Sequence, residues 1–302
     1  MAEFKAERRR GILTEIFISP DEPRLRAGWR LLAQTILLVV LAVVASLLTL
    51  PLMNSEDPFN NLFLAQVTQI LAFSGSVLLA RRFLDRRTVV SLGLRVDRLA
   101  WLDVTAGIVI TFVLMAAIYL GMVIVGWSSF ESFAWETDPL STVVSSTLGT
   151  FVLFILVGWN EELLSRGYHL QTIASGLNLL PGWILSSAIF GLLHIFNPNA
   201  TWVSAAGIFF AGLFLGYGYI RTKQLWLPIG LHIGWNFFEG VGFGFPVSGL
   251  EIYRLLRHQV RGPELWTGGA FGPEAGLIVL PALALGAWLI HVYVRSFRKS
   301  TE

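Results

Sequence analysis

The chain has 302 residues, 54% of them hydrophobic and only 14% charged, with a formal net charge of +2 and a mean hydropathy of +0.65. Soluble domains carry about 25% charged residues, so these values exclude a soluble enzyme with a large core and point to a polytopic membrane protein. Cysteine is absent, which excludes disulfides and thiolate metal sites and leaves the redox compartment open.

Residues 1–28 form a polar, basic segment (Lys5, Arg8, Arg9, Arg10, Arg24, Arg26), with Arg30 just beyond. This stretch is too long for the basic region of a signal peptide. Beside a membrane span it reads as cytoplasmic retention and contact with anionic lipid, not as a nucleic-acid surface. Apolar runs then predict eight helices, at 29–50, 60–80, 101–127, 140–165, 181–197, 201–220, 225–244 and 273–294. The expected fold is all-α, a polytopic transmembrane helical bundle with both termini cytoplasmic. Its parts are the 1–28 segment, N-terminal membrane helices over 29–139, a core over 140–245, and an exterior loop, last helix and tail over 246–302. The seventh run is broken by Pro228 and several Gly, as is tolerated where a helix lines a polar cavity.

With the N-terminus inside, Arg254, Arg257 and Arg261 are the only three of the 22 Lys and Arg that fall outside, as the positive-inside rule requires. The first two exterior loops are acidic instead (Glu56 and Asp57; Glu131, Glu136 and Asp138). The longest exterior loop is 247–272. Its amphipathic piece, 250–260, is expected as a helix on the exterior surface, with a substrate lid as the alternative. Gly212 and Gly216 form a GxxxG pair, expected to serve close packing within the monomer.

Three polar constellations interrupt the apolar runs. They are Glu161-Glu162-x-x-x-Arg166, Phe190-x-x-x-His194 and His232-x-x-x-Asn236. A charge at the centre of a membrane helix costs about 2.5–3.5 kcal/mol on insertion scales, so such residues point to chemistry. Glu162 and Arg166 are one helical turn apart and can pair. Glu161 then points about 100° away, free to act as a general base. Asn197 follows His194 by one turn and could fix its tautomer. His232 and Asn236 share a face, and Glu239 returns to it further on, close enough to the exterior to be solvated. If the fourth helix ends near Tyr168, Glu161 lies about 10 Å from its cytosolic end, with Arg166 snorkelling to the headgroups. His194 then lies about 18–20 Å and His232 about 10 Å along their helices. All three are expected to meet in the cytosolic half of the membrane.

In that order and on successive apolar helices, the motifs resemble the CAAX protease and bacteriocin-processing (Abi) family of intramembrane proteases, which includes the type II CAAX prenyl endopeptidases. The resemblance spans roughly 140–245. It implies peptide-bond hydrolysis by an activated water in a cytosol-facing membrane cavity, while the compactness of the chain and its expected cytoplasmic termini suggest a bacterial inner-membrane setting. Carried over by position, Glu161 activates the water, assisted by His194. His232 and Asn236 stabilise the oxyanion, and Glu162 with Arg166 holds Glu161 in place. The expected substrate is a peptide or protein, of the kind that includes lipid-modified ones, and lipid is the other partner. Glu161, His194 and His232 with an open position are also a plausible zinc set. The label metalloprotease goes with this family, although the residue pattern leans toward no obligatory zinc. The alternatives are a proton-coupled transporter and a non-catalytic scaffold or immunity-type protein. The first usually carries paired broken helices in two related halves, whereas here the polar residues cluster in the second half. The second would be favoured by loss of a motif position, and all are present.

Overall fold

Among the described residues, seven helices are long and apolar enough to cross a membrane. They are α1 (Ala27–Leu52), α2 (Phe59–Leu84), α3 (Arg98–Ile124), α4 (Leu140–Gly176), α5 (Leu179–Phe196), α6 (Trp202–Thr222) and, last in the chain, α8 (Val279–Arg298). Between α6 and α8 runs α7, made of an α-helix over Trp226–Asn236 and a π-helix over Phe237–Gly242. All eight expected helices are therefore present in a membrane-type bundle, and α7 is the one too short to count as a span. The computed structural model describes residues 12–53 and 58–298. The basic residues Lys5, Arg8, Arg9, Arg10 and Lys299 and the acidic pair Glu56 and Asp57 lie outside the described residues.

The reason α7 can be short is its position. Every residue from Leu227 to Asn236 is buried, enclosed by protein instead of lipid. Its glycines make this possible. A side chain at Gly230 would collide with the Val104 backbone of α3, and one at Gly234 with Ile108 and Thr111. From the other side, Gly107 of α3 faces the backbone of Gly230 and Leu231. Gly158 brings α4 against Ile233, where a Cβ would stand 2.9 Å from the Ile233 side chain. Apolar side chains gain nothing by leaving lipid for protein, so close backbone packing of this kind must hold membrane helices together. The GxxxG pair does the same between α5 and α6, with Gly212 against Ser187 and Gly216 against Trp183.

The chain alternates between two faces of the bundle. One face carries the start of α1, the 85–97 loop, the 177–178 and 223–225 turns and the end of α8. Here buried Asp85 accepts from Arg30 and, at 3.0 Å, from Arg81. Arg30 also reaches Ser175 at 2.7 Å, and Arg81 reaches Gln171 at 2.9 Å, so these arginines tie α1, α2 and the end of α4 together. The opposite face carries the 125–139, 197–201 and 243–278 segments. Two strands pair there, β1 (Ser128–Phe133) and β2 (Leu256–Val260), antiparallel with Phe130 opposite His258 and a bulge at Glu131. The surface helix expected over 250–260 is not formed. Its residues join β1, and Arg257 and Tyr253 bind Asp138 at 2.7 and 2.9 Å. A strand edge and the half-buried carboxylate of Asp138 decide that segment, where sequence periodicity suggested a helix.

Candidate active site

Beyond Glu162, α4 does not end at Tyr168. It passes into a π-helix over Leu163–Leu170 and continues to Gly176. π-segments recur at functional sites because the wider turn re-aims the side chains that follow. Arg166 sits inside this one. It is 1% exposed and donates to Glu162 Oε1 at 2.7 Å and to the Gly212 carbonyl at 2.9 Å. Its guanidinium lies over the Phe190 ring. The expected pair is formed, but Arg166 does not snorkel to the headgroups. Its carbonyl, carboxylate and aromatic partners are all internal.

Glu162 Oε1 also accepts from His232 Nδ1 at 2.8 Å. His194 Nδ1 makes the equivalent bond to the Phe190 carbonyl at 2.8 Å. Both imidazoles are thus held through Nδ1–H, and both present Nε2 to the same space. Phe190 separates and orients them, 4.7 Å from the His194 ring and edge-on to the His232 ring at 6.1 Å. Asn197 does not fix the tautomer, since its amide donates to the Ser248 carbonyl at 3.1 Å.

Glu161 completes the constellation. Its Oε2 lies 3.6 Å from His194 Nε2 and 3.8 Å from His232 Nε2, too far for hydrogen bonds. This oxygen is buried and has no hydrogen-bond partner. It shares a cavity of about 220 Å³ with both histidines and Asn236. The six polar motif residues thus lie around one site, but Glu162 and Arg166 hold His232 instead of Glu161, the role expected of them. Neutral imidazoles tied through Nδ1–H offer lone pairs at Nε2, so three acceptors converge here. The space among them suits a hydrogen-bond donor such as water. The donors suit zinc in kind. Among the described residues no group of three His, Asp or Glu stands as a metal site, while the separations of 3.6 and 3.8 Å are close to those between neighbouring ligands of a tetrahedral zinc.

Two expectations of depth change. About 22 Å of helix separates Glu161 from Gly176, and the same length separates His194 from Leu179, at 1.5 Å per residue. The site therefore lies beside the end of α5 away from the basic face and near the middle of α4, about 32 Å from Leu140. α7 reaches it sooner because it starts from a turn packed against Gly93, where Leu225 is buried. Glu239 also differs from expectation. The π-turn starting at Phe237 rotates it off the His232 face, and it is fully buried instead of solvated.

A further carboxylate was missed. Glu274, 5% exposed, lines the cavity. It accepts from Trp235 Nε1 at 3.1 Å and from the Ser248 backbone and hydroxyl at 2.9 and 2.7 Å. Burial raises its pKa above the ordinary carboxylate range. The sequence signal was a lone Glu inside the eighth apolar run, which reads as a helix-start charge. The observed helix begins only at Val279, leaving Glu274 in a loop folded over the site.

The family model for type II CAAX prenyl endopeptidase Rce1-like proteins matches residues 142–238, the region holding all three motifs. Two Bacillus subtilis (strain 168) proteins are similar. "Uncharacterized protein YyaK" is 26% identical over 190 residues, 61% of each chain. "Putative membrane peptidase YdiL" is 31% identical over 136 residues, 45% of this chain and 48% of that one. The chain thus matches less than two thirds of the length of either relative. No solved structure matches.

Proposed function

We propose that this integral membrane protein is an intramembrane endopeptidase of the bacterial plasma membrane, hydrolysing a peptide bond with water activated by Glu161. The observation that carries this reading is the buried, unpartnered Glu161 Oε2 facing two imidazole Nε2 atoms at 3.6 and 3.8 Å. The Rce1-like match over the same residues supports it.

In this mechanism a water lies between Glu161 and His194. Glu161 takes its proton as the oxygen attacks the carbonyl carbon. His232 acts as an imidazolium, favoured by the Glu162 carboxylate at Nδ1, so that its Nε2–H donates to the developing oxyanion beside the Asn236 amide. A neutral His232 in this tautomer could not donate there. Collapse breaks the C–N bond, and protonated Glu161 passes its proton to the leaving amine. No step is routed through zinc. A second gap, of about 230 Å³, is lined by Gln69 and Phe73 of α2 and by Leu193 of α5 and leads to Glu161 and His194. It suits a substrate arriving within the bilayer, lipid-modified peptides included. The test is turnover of a membrane-tethered peptide by Glu161→Gln; full activity in that variant removes the assignment.

A further inference from the structure

The expected cytoplasmic N-terminus and the expected cytosol-facing cavity do not fit one structure. The cavity wall is built from Leu62, Gln66 and Gln69 near the first end of α2, and from Val247, Ser248 and Leu250 of the loop after α7. It continues into a second cavity of about 680 Å³ between Phe59, Ser145, Ser146 and the 250–253 loop. The two share Leu62, Leu153, Leu250 and Ile252. All of these elements belong to the face bearing β1 and β2. The opening therefore lies opposite the start of α1.

Charge then gives that face a side. Among the described residues the α1-start face holds Arg24, Arg26, Arg30, Arg81, Arg82, Arg86, Arg87, Arg95, Arg98, Arg221, Lys223, Arg295 and Arg298, and the cavity face holds Arg254, Arg257 and Arg261. Lys and Arg within short loops bias orientation regardless of accompanying acids, so the Asp85 ion pairs do not cancel the asymmetry. We propose that the catalytic cavity opens to the extracytoplasmic side, and that the substrate is a membrane-tethered peptide whose scissile bond lies at or just below that surface. The second half of this statement rests on the proteolytic reading above. It excludes a peptide whose cleavage site is on the cytoplasmic surface, whatever lipid it carries.

The chain has no cysteine, so single cysteines report position without background. Ser129→Cys on β1 and Leu250→Cys at the cavity wall sit on one face, and Val96→Cys and Thr88→Cys on the other; all four positions are exposed. Intact bacterial cells producing each full-length variant are treated with a membrane-impermeant maleimide, before and after permeabilisation. The expected result is labelling of Ser129→Cys and Leu250→Cys in intact cells, and of Val96→Cys and Thr88→Cys only after permeabilisation. Having two positions per face keeps the result readable if one variant fails to insert. Labelling of Val96→Cys or Thr88→Cys in intact cells, or protection of Ser129→Cys, overturns the orientation. Protection of Leu250→Cys while Ser129→Cys reacts overturns the cavity opening. Labelling is read without catalysis. Full activity of Glu161→Gln would thus remove the protease reading and leave the orientation standing, while a reversed labelling pattern would do the opposite.

Discussion

The guanidinium of Arg166 lies 4.4 Å from the centre of the Phe190 ring, and this contact links the first two sequence motifs. Arg166 neutralises Glu162, and Glu162 holds His232. Phe190 in turn holds His194 through its carbonyl. One arginine therefore stands behind both imidazoles.

Arg166→Met should destabilise the protein by about 3–5 kcal/mol, because it leaves Glu162 buried without a counter-charge. Arg166→Lys keeps the charge but not the planar fork. It should lose the Gly212 hydrogen bond, worth about 1.5–3 kcal/mol for a charged donor. Chemical unfolding in detergent ranks the two. A native-like midpoint for Arg166→Met would contradict the role given to Glu162.

Glu161→Gln should lower kcat by about 10²–10⁴, the usual contribution of a general base. Its unfolding midpoint should not fall, since Glu161 Oε2 makes no hydrogen bond to lose. Asn236→Ala should lower kcat by about 10²–10³ through the oxyanion. Both are read from turnover of a membrane-tethered peptide, with thermal unfolding measured beside it.

Chelation followed by metal analysis addresses zinc. Because the proposed mechanism uses the Glu161 carboxylate and the imidazoles directly, protein stripped of metal should retain its full rate. A rate that falls with metal content and returns on adding Zn²⁺ would place the ion in the reaction.

His258 gives a pH signature away from the chemistry. It is buried on β2 between Tyr119 and Phe245, with Nδ1 at 2.7 Å from the Ser128 hydroxyl. Burial lowers its pKa from 6.5 to about 4. Protonation is thus opposed in the folded chain, and the unfolded chain binds the proton first. Its stabilising contribution is complete above pH 6.5 and is lost as pH falls toward about 4, amounting to roughly 1–3 kcal/mol. Thermal unfolding across that range should show a steeper loss for the native chain than for His258→Phe. Equal slopes would show that His258 does not contribute.

The helices and the six polar motif residues were legible because lipid imposes length on a span and makes each internal charge conspicuous. Glu161 and Glu162 could be given different roles from helical spacing alone. What escaped depended on breaks in that spacing. The π-segment at Leu163–Leu170 extended α4 and drew Arg166 inward. The one at Phe237–Gly242 turned Glu239 away from His232. Pairing of β1 with β2 and the placement of Glu274 over the cavity are long-range outcomes that no local pattern announces.

The glycine seams on α7 divide the labour of movement within the bundle. With α3 and α4 in backbone contact on two sides, the helix bearing His232 and Asn236 is a fixed wall. α2 on the far side is interrupted by π-turns at Ile70–Ser74 and Ala80–Leu84, and its meeting with Gly149 is through the Phe59 ring, a side chain that can rotate. α2 is thus held through side chains where α7 is held through backbone. Amide exchange in α2 should accordingly outpace exchange in α7.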